Sequence, residues 1–273
     1  MNDFLIRPNT RIDLSQYETY YTGEIKRKAG RKKVVEYRKV MRDLQELLFA
    51  ENKQKILVVL QGIDTSGKDG TIKNVFGDVN PQGTKVANFR VPTRHELARD
   101  YLWRVHQVTP ARGEIVIFNR SHYEDVLVVR VDELAPESVW KKRYQHINEF
   151  ERLLVDEGTT ILKFFLHISK SRQAERFLAR LDRPNRRWKF NPEDIEKREN
   201  WDDYQVAFEA MLSKTSTHWA PWYVIPSDRK WYRNMVIAEI IIDKLKSLGM
   251  QYPKEVPDID SYRDQLIEII END

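Results

Sequence analysis

Apolar residues along this chain fall into two alternating periods. Short runs rich in β-branched and aromatic residues have the length and composition of strands: Lys55 to Gln61 (KILVVLQ), Val86 to Val91, Glu114 to Asn119 (EIVIFN), Thr160 to His167 (TILKFFLH) and Trp222 to Pro226 (WYVIP). The central runs are apolar at nearly every position, which suits a parallel sheet covered on both faces. Between the runs the period lengthens. Trp140, Tyr144, Ile147, Phe150 and Leu154 recur at spacings of three and four before Gly158, a fitting left-handed stop for that helix. Ser169 is placed to cap a helix running through Leu181, and a further helix is expected from Lys33 to Ala50. Asn191-Pro192-Glu193-Asp194 reads as an N-cap, a proline at the first helical position and an acidic first turn, opening one long helix to about Leu212.

Repeated strand and helix predict an α/β doubly wound fold of three layers, a mostly parallel sheet with helices on both faces and ligands beyond the strand C-termini. The chain has no internal repeat, low-complexity tract or Gly/Ser linker, so one domain with appendages is expected. Residues 1–50 form a helical arm, 51–250 the main domain with a basic hairpin at about 170–200, and 251–273 a tail whose stretch Tyr262 to Ile270 is amphipathic.

Composition narrows the chemistry. With 41% hydrophobic residues in 273, the chain can bury one sizeable core. It contains no cysteine, which excludes disulfides, thiolate metal sites and cysteine nucleophiles and leaves carboxylates, Lys, Arg, His and bound metal. No 18-residue apolar run occurs, and Met1 to Tyr20 mixes charged with apolar residues, so a cytoplasmic protein without a membrane partner is expected. The net charge of +4 is small, but its carriers are clustered: six of the eight residues from Lys26 to Lys33 are basic, and Arg176, Arg180, Arg183, Arg186, Arg187 and Lys189 fall within fourteen positions. Such clusters attract a polyanion, although each also reads as a solvated face.

The sharpest signal follows the first strand. Gly62-Ile63-Asp64-Thr65-Ser66-Gly67-Lys68-Asp69-Gly70 fits the phosphate loop G-x-x-x-x-G-K, and a helix opens behind it. The flanks matter because glycines let backbone N–H groups wrap a phosphate while the helix N-terminus adds positive potential. Asp69 stands where a Ser or Thr usually offers its hydroxyl to magnesium, and Asp64 brings a carboxylate into the loop. Both suggest metal ligation shifted from hydroxyl to carboxylate, which Mg²⁺ accepts. A second constellation, Asn119-Arg120-Ser121-His122-Tyr123-Glu124-Asp125, ends the strand Glu114 to Phe118. In phosphate-loop enzymes a neighbouring strand end delivers an acid toward the metal, and Asn119 holds that place with Glu124 close behind. Arg120 is suited to grip a phosphate, whereas the lone His122 reads better as structural. The basic hairpin, with Arg176 and Arg180 four residues apart, suits a lid that closes over phosphates and excludes water.

The loop Gly62 to Gly70, the segment Phe118 to Glu124, and Arg180-Leu181-Asp182 with Trp188-Lys189-Phe190 together resemble the polyphosphate kinase 2 family from about Tyr20 to Leu248. The resemblance implies a P-loop kinase fold with a helical lid, using inorganic polyphosphate and Mg²⁺, or Mn²⁺, to phosphorylate nucleotides, adenine and also guanine. It implies that Asp64 holds metal, with Glu124 as helper, and that Lys68, Arg120 and Arg180 handle phosphate, as do Lys189 and Arg183. Gly62, Thr65, Ser66, Gly67, Asp69, Gly70 and Asn119 complete the expected phosphate and nucleotide site. Asn119 with Glu124 five residues on looks like the subgroup usually called class III, which accepts both AMP and ADP. Lys26 to Lys33, Lys85 and Arg94 are candidates for a polyphosphate track, and homo-oligomers, dimer or tetramer, are expected from the family. One rival is an ATP-dependent nucleoside monophosphate kinase, which shares the loop and an arginine-bearing lid. Another is a nucleic-acid-binding P-loop protein, using the basic patches and the seven tryptophans. Those tryptophans mostly fall in helical or strand periods, which suits core packing and argues against a nucleic-acid partner.

Overall fold

The structure is a computed structural model that describes residues 2–272; Met1 and Asp273, the outermost residues of the arm and the tail, lie outside it. Five parallel strands, β1 (Lys55–Gln61), β2 (Thr84–Asn88), β3 (Ile115–Asn119), β4 (Thr159–His167) and β5 (Trp222–Pro226), stand in the order β2-β3-β1-β4-β5. The helices are α1 (Arg27–Glu51), α2 (Lys68–Val75), the short α3 (Arg94–Leu97), α4 (Trp103–His106) and α5 (Val128–Val131), α6 (Glu137–Asp156), α7 (Lys170–Leu181), the short α8 (Glu193–Glu196), α9 (Trp201–Thr215), α10 (Lys230–Ser247) and α11 (Ile259–Asn272). No helix among the described residues is long and apolar enough to cross a membrane.

β1 lies at the centre, paired with β3 on one side and β4 on the other. Because side chains alternate across a strand, Leu57 and Val59 enter one core and Ile56, Val58 and Leu60 the other. The first core is closed by α6 and α9, the second by α1, α2 and α10. Burial on both faces is why β1 and β3 read as continuous apolar runs. The arm covers the open edge: Ile6 N–H donates to the Trp222 carbonyl at 2.8 Å, and Leu5 forms an antiparallel bridge with Tyr223. An edge strand covered in this way offers no free ladder to another chain.

Three sequence expectations are corrected. The first helix begins at Arg27, six residues before Lys33, because Gly30 lets α1 close on Trp231 of α10: a Cβ there would sit 2.2 Å from the indole. The second strand spans Thr84–Asn88 and not Val86 to Val91, its register being set by pairing with β3. The long helix expected from Asn191 is broken into α8 and α9. α9 turns Trp201, Tyr204, Phe208 and Met211 into the core while α8 buries nothing, and Arg198 between them donates to the Lys170 carbonyl at 3.2 Å and Gln173 Oε1 at 2.5 Å. One straight helix cannot serve both attachments.

A polar network is sealed in the first core. Lys163 of β4, fully buried, donates to Glu151 Oε2 (2.6 Å), Tyr123 Oη (2.8 Å) and the Thr215 carbonyl (2.7 Å). Burial alone would raise Glu151, but Lys163 and His122 outweigh it and keep the carboxyl ionised, while burial pushes the His122 imidazole below its ordinary value. His122 is therefore a neutral core residue, 3.3 Å from Glu151. Glu151→Ala would strand a buried ammonium and should lower stability by about 3–5 kcal/mol, whereas Glu151→Leu with Lys163→Met should be much milder. Urea unfolding checks this; a double variant no more stable than the single one would show that the network acts through packing and not charge.

Candidate active site

Gln61 ends β1 among the three central strands, and the chain then wraps a loop before entering α2. The wrap needs unusual backbone: Gly62, Thr65 and Gly67 have φ of 145°, 65° and 112°. A Cβ on Gly62 would lie 2.9 Å from the Leu166 carbonyl, so β4 permits only glycine there. Thr65 Oγ1, Ser66 Oγ and Thr71 Oγ1 are buried without a protein partner. Buried hydroxyls normally find acceptors, and three orphans beside a helix N-terminus fit an oxyanion bound in the loop. The Lys68 ammonium rests on the Gly62 carbonyl at 2.5 Å and the Ile63 carbonyl at 3.3 Å. Burial pushes it below its usual value, opposed by Asp64.

Arg120, with φ 61°, follows β3 and lies between two carboxylates, 2.5 Å from Asp64 Oδ1 and 3.5 Å from Glu124 Oε2. Burial would lower the guanidinium, but Asp64 and Glu124 together raise it. Burial likewise would raise Asp64, yet Arg120 and Lys68 hold its carboxyl below the ordinary value, so it stays ionised. Glu124 is oriented by Gln61 Nε2 at 2.9 Å. Among the described residues no group of three or more His, Cys, Asp or Glu forms a metal cage.

The hairpin of α7, a 3-10 turn (Pro184–Lys189) and α8 lies over this loop. Lys189 Nζ reaches Asp69 Oδ2 at 2.9 Å, while Asn119 Nδ2 holds Asp69 Oδ1 at 3.0 Å. Asp69 thus joins the loop, β3 and the hairpin. Arg180 remains inside the hairpin, 3.7 Å from Asp194 Oδ2 and 3.3 Å from the Lys189 carbonyl, and Arg183 is exposed at the turn. Gly70 lies in the first turn of α2.

Two cations read as lid or track surface are placed elsewhere. Arg176 points inward, buried against carbonyls of the loop, because α7 turns that face toward the body. Lys85 sits at the N-terminal ends of the strands, paired with Glu114, and is therefore at the opposite end of the sheet from the loop. Arg94 begins α3, beyond the C-terminal end of β2, and is exposed. The same cleft that holds Asp64, Arg120 and Glu124 is also lined by Asp194, Lys197 and Tyr204, which sequence reasoning missed. In the sequence Asp194 carries only the signal of a helix-start acid; burial and nearby Asp64 push its carboxyl up. Gln173 and Arg233 carried no motif, and only the fold brings them to the loop.

The model of the family described as Polyphosphate kinase 2 (PPK2) matches residues 24–253. An AMP/ADP-polyphosphate phosphotransferase of Meiothermus ruber is 54% identical over 256 residues, covering 93% of this chain and 96% of the relative. An ADP-polyphosphate phosphotransferase of Rhodopseudomonas palustris is 45% identical over 227 residues, 79% of this chain and 78% of the relative. The crystal structure of Polyphosphate Kinase 2 from Arthrobacter aurescens TC1 superposes with a TM-score of 0.93 at 36% identity, covering 97% of this chain and 95% of that one.

The Asp69–Lys189 contact predicts how the hairpin opens. Burial would raise Asp69, but hydrogen bonds from Lys189 and Asn119 outweigh it and lower the carboxyl. The contact is therefore intact at neutral pH and lost only as pH falls below the ordinary carboxylate range. Being largely exposed, it contributes at most about 1 kcal/mol, so Asp69→Asn should raise the open population up to about fivefold. Faster amide exchange across 183–197 is the expected readout, and unchanged exchange would remove the latch.

Proposed function

The chain belongs to the polyphosphate kinase 2 family, and on that premise we propose that it transfers the terminal phosphoryl group of inorganic polyphosphate onto AMP and onto ADP, reversibly, giving ADP and ATP. The observation that carries this reading is the loop itself, with three orphaned hydroxyls, Lys68 and an α2 N-terminus converging beside Asp64 and Arg120. The acceptance of both nucleotides rests on Asn119 and Glu124 and on the end-to-end likeness to a relative named for both.

The attacking oxygen belongs to a nucleotide phosphate that is already anionic, so no general base is needed and catalysis reduces to alignment and neutralisation of charge. Backbone N–H groups of Gly62 to Gly70 hold phosphate at the transfer point, and Lys68, resting on two loop carbonyls, turns its remaining N–H to a phosphate oxygen. Arg120, now bridging Asp64 and Glu124, swings one of its pairs toward the transferring group. Closure of the hairpin brings Arg180 and Lys189 over it and excludes water, with Arg183 at the rim. Asp64 and Glu124 suit a hard divalent cation, because these two carboxylates share one positive partner, Arg120. They are the residues that would hold Mg²⁺, or Mn²⁺, whose charge would offset that of the phosphates.

A long anion needs a track as well as a pocket. The basic start of α1 lies beside α10 through Gly30 and Trp231, and next to Trp231 stands Lys230, which burial and Arg176, Arg233, Arg172 and Arg186 push down to about 8. We read Lys26 to Lys33 and this cluster as the track, with Arg94 beyond β2 and Lys85 excluded by its position at the far end of the sheet. The reading places the reaction in the cytoplasm with a homo-oligomer as the working form; the exposed apolar residues Tyr262, Leu266, Ile269 and Ile270 of α11 support a second copy as its cover.

Purified protein with AMP or ADP, Mg²⁺ and polyphosphate should yield ADP or ATP. Product from AMP only with ATP as donor would instead establish a nucleoside monophosphate kinase. Alanine at Asp64 or Lys68 should lower turnover about 100-fold or more with the fold intact; near-normal activity in either would sink the assignment. Affinity for long polyphosphate should fall steeply with salt, by analogy with counterion release from nucleic acids. A flat salt response would argue against the track.

A further inference from the structure

Two arginines that the transfer chemistry does not use meet beneath the loop. Arg176 of α7 and Arg233 of α10 come from different sides and converge on one atom, the Ser66 carbonyl oxygen, at 2.7 Å and 3.0 Å. Arg176 also donates to the carbonyls of Thr65 (2.8 Å), Ser227 (2.5 Å) and Asp228 (3.2 Å), and Arg233 to Asn234 Oδ1 at 2.9 and 3.2 Å. They are 8% and 1% exposed. Every acceptor is a neutral oxygen, Arg176 Nε is buried without any partner, and among the described residues neither guanidinium makes an ion pair. Gly67 records how close they come: a Cβ there would lie 1.9 Å from Arg233 Nη1.

Burying two like charges side by side without a direct ion pair is unfavourable, and carbonyl dipoles offset only part of it. Burial with repulsion from Arg176 pushes Arg233 down to about 9, and burial with repulsion from Arg172 pushes Arg176 down to about 10 against the opposing pull of Asp228 and Glu175; both stay charged at neutral pH. Asp228 and Glu175 offset part of the charge on Arg176 without a direct ion pair, Arg233 has no such acid beside it, and the pair gains from a further negative charge across the thin loop. The buried hydroxyls of Thr65, Ser66 and Thr71 in the same loop and the first turn of α2 likewise have no partner.

We propose that Arg176 and Arg233 are positioning residues for phosphate: acting through the Ser66 carbonyl and the charge they hold under Gly67, they keep the loop shaped for an oxyanion and find their counter-charge in the phosphate bound there. This rests on the reading that the loop binds phosphate. An inert structural strut makes the opposite forecast, since removing it would damage the fold and spare binding. The charge pair instead strains the ligand-free protein and strengthens the complex.

The test is calorimetric titration with inorganic tripolyphosphate, alongside thermal unfolding of the ligand-free protein, for wild type, Arg233→Met and Arg233→Lys. Arg233→Met is expected to melt at the wild-type temperature or above and to bind tripolyphosphate about tenfold or more weakly, while Arg233→Lys recovers most of the affinity. A Met variant that loses stability yet binds normally would overturn the proposal, and so would a Lys variant no better than Met. Should the Met variant not fold, the Lys variant decides alone: affinity within about threefold of wild type supports the role of charge, and about a tenfold loss in a folded protein refutes it. Binding by wild type with unchanged variants removes this inference and leaves the proposed function standing; no binding by wild type removes both.

Discussion

A loop that offers its N–H groups to phosphate must turn its carbonyls inward, and inward carbonyls need buried donors. Much of this molecule serves that constraint. The carbonyls of Gly62 and Ile63 accept from Lys68, that of Asp64 from Gln173 at 3.0 Å, that of Thr65 from Arg176, and that of Ser66 from Arg176 and Arg233 together. Five consecutive carbonyls are satisfied by side chains from α2, α7 and α10. These helices can reach the loop because β1 ends at the centre of the sheet, with β4 and β5 bringing α7 and α10 to the same end.

The constraint also explains the charge arrangement. Cations outnumber acids around the loop, and the acids present are each held by a cation. Arg120 lies between Asp64 and Glu124, Lys189 on Asp69, and Arg180 near Asp194. In the ligand-free protein these pairs limit the repulsion among neighbouring cations. Arg176 and Arg233 donate only to neutral oxygens, with no direct carboxylate partner among the described residues.

Much of the architecture was legible in particular residues. The apolar blocks KILVVLQ and WYVIP coincide with β1 and β5, Ser169 caps α7 by accepting from Arg172 N–H, and Gly158 stops α6 at φ 84°. Each is a local signal, decided within one turn or one strand. The errors lie where a distant contact overrides local preference: Trp231 lengthens α1 toward its N-terminus, the pairing with β3 shifts β2, and the attachments of Arg198 and Trp201 break the helix begun at Pro192.

The candidate site divides in the same way. Asp64, Lys68, Asn119, Arg120 and Glu124 were legible because a strand, a turn and a helix start bring them together over short spans of chain, and β1 and β3 pair side by side. What local spacing cannot settle is the direction in which a side chain of a packed helix points. Arg176 and Arg180 stand four apart on α7, yet one is buried under the loop and the other stays in the hairpin. Lys85 reads like any other strand cation until the register sends it to the far end of the sheet. Arg233, which closes the floor of the loop 167 residues after Ser66, has no local signature. The sequence by itself determined the order of elements and the chemistry of the loop, because those depend on near neighbours. Tertiary structure alone decided which cations lie over the loop, which lie beneath it and which lie away from it, because that depends on how α7 and α10 pack against β4 and β5.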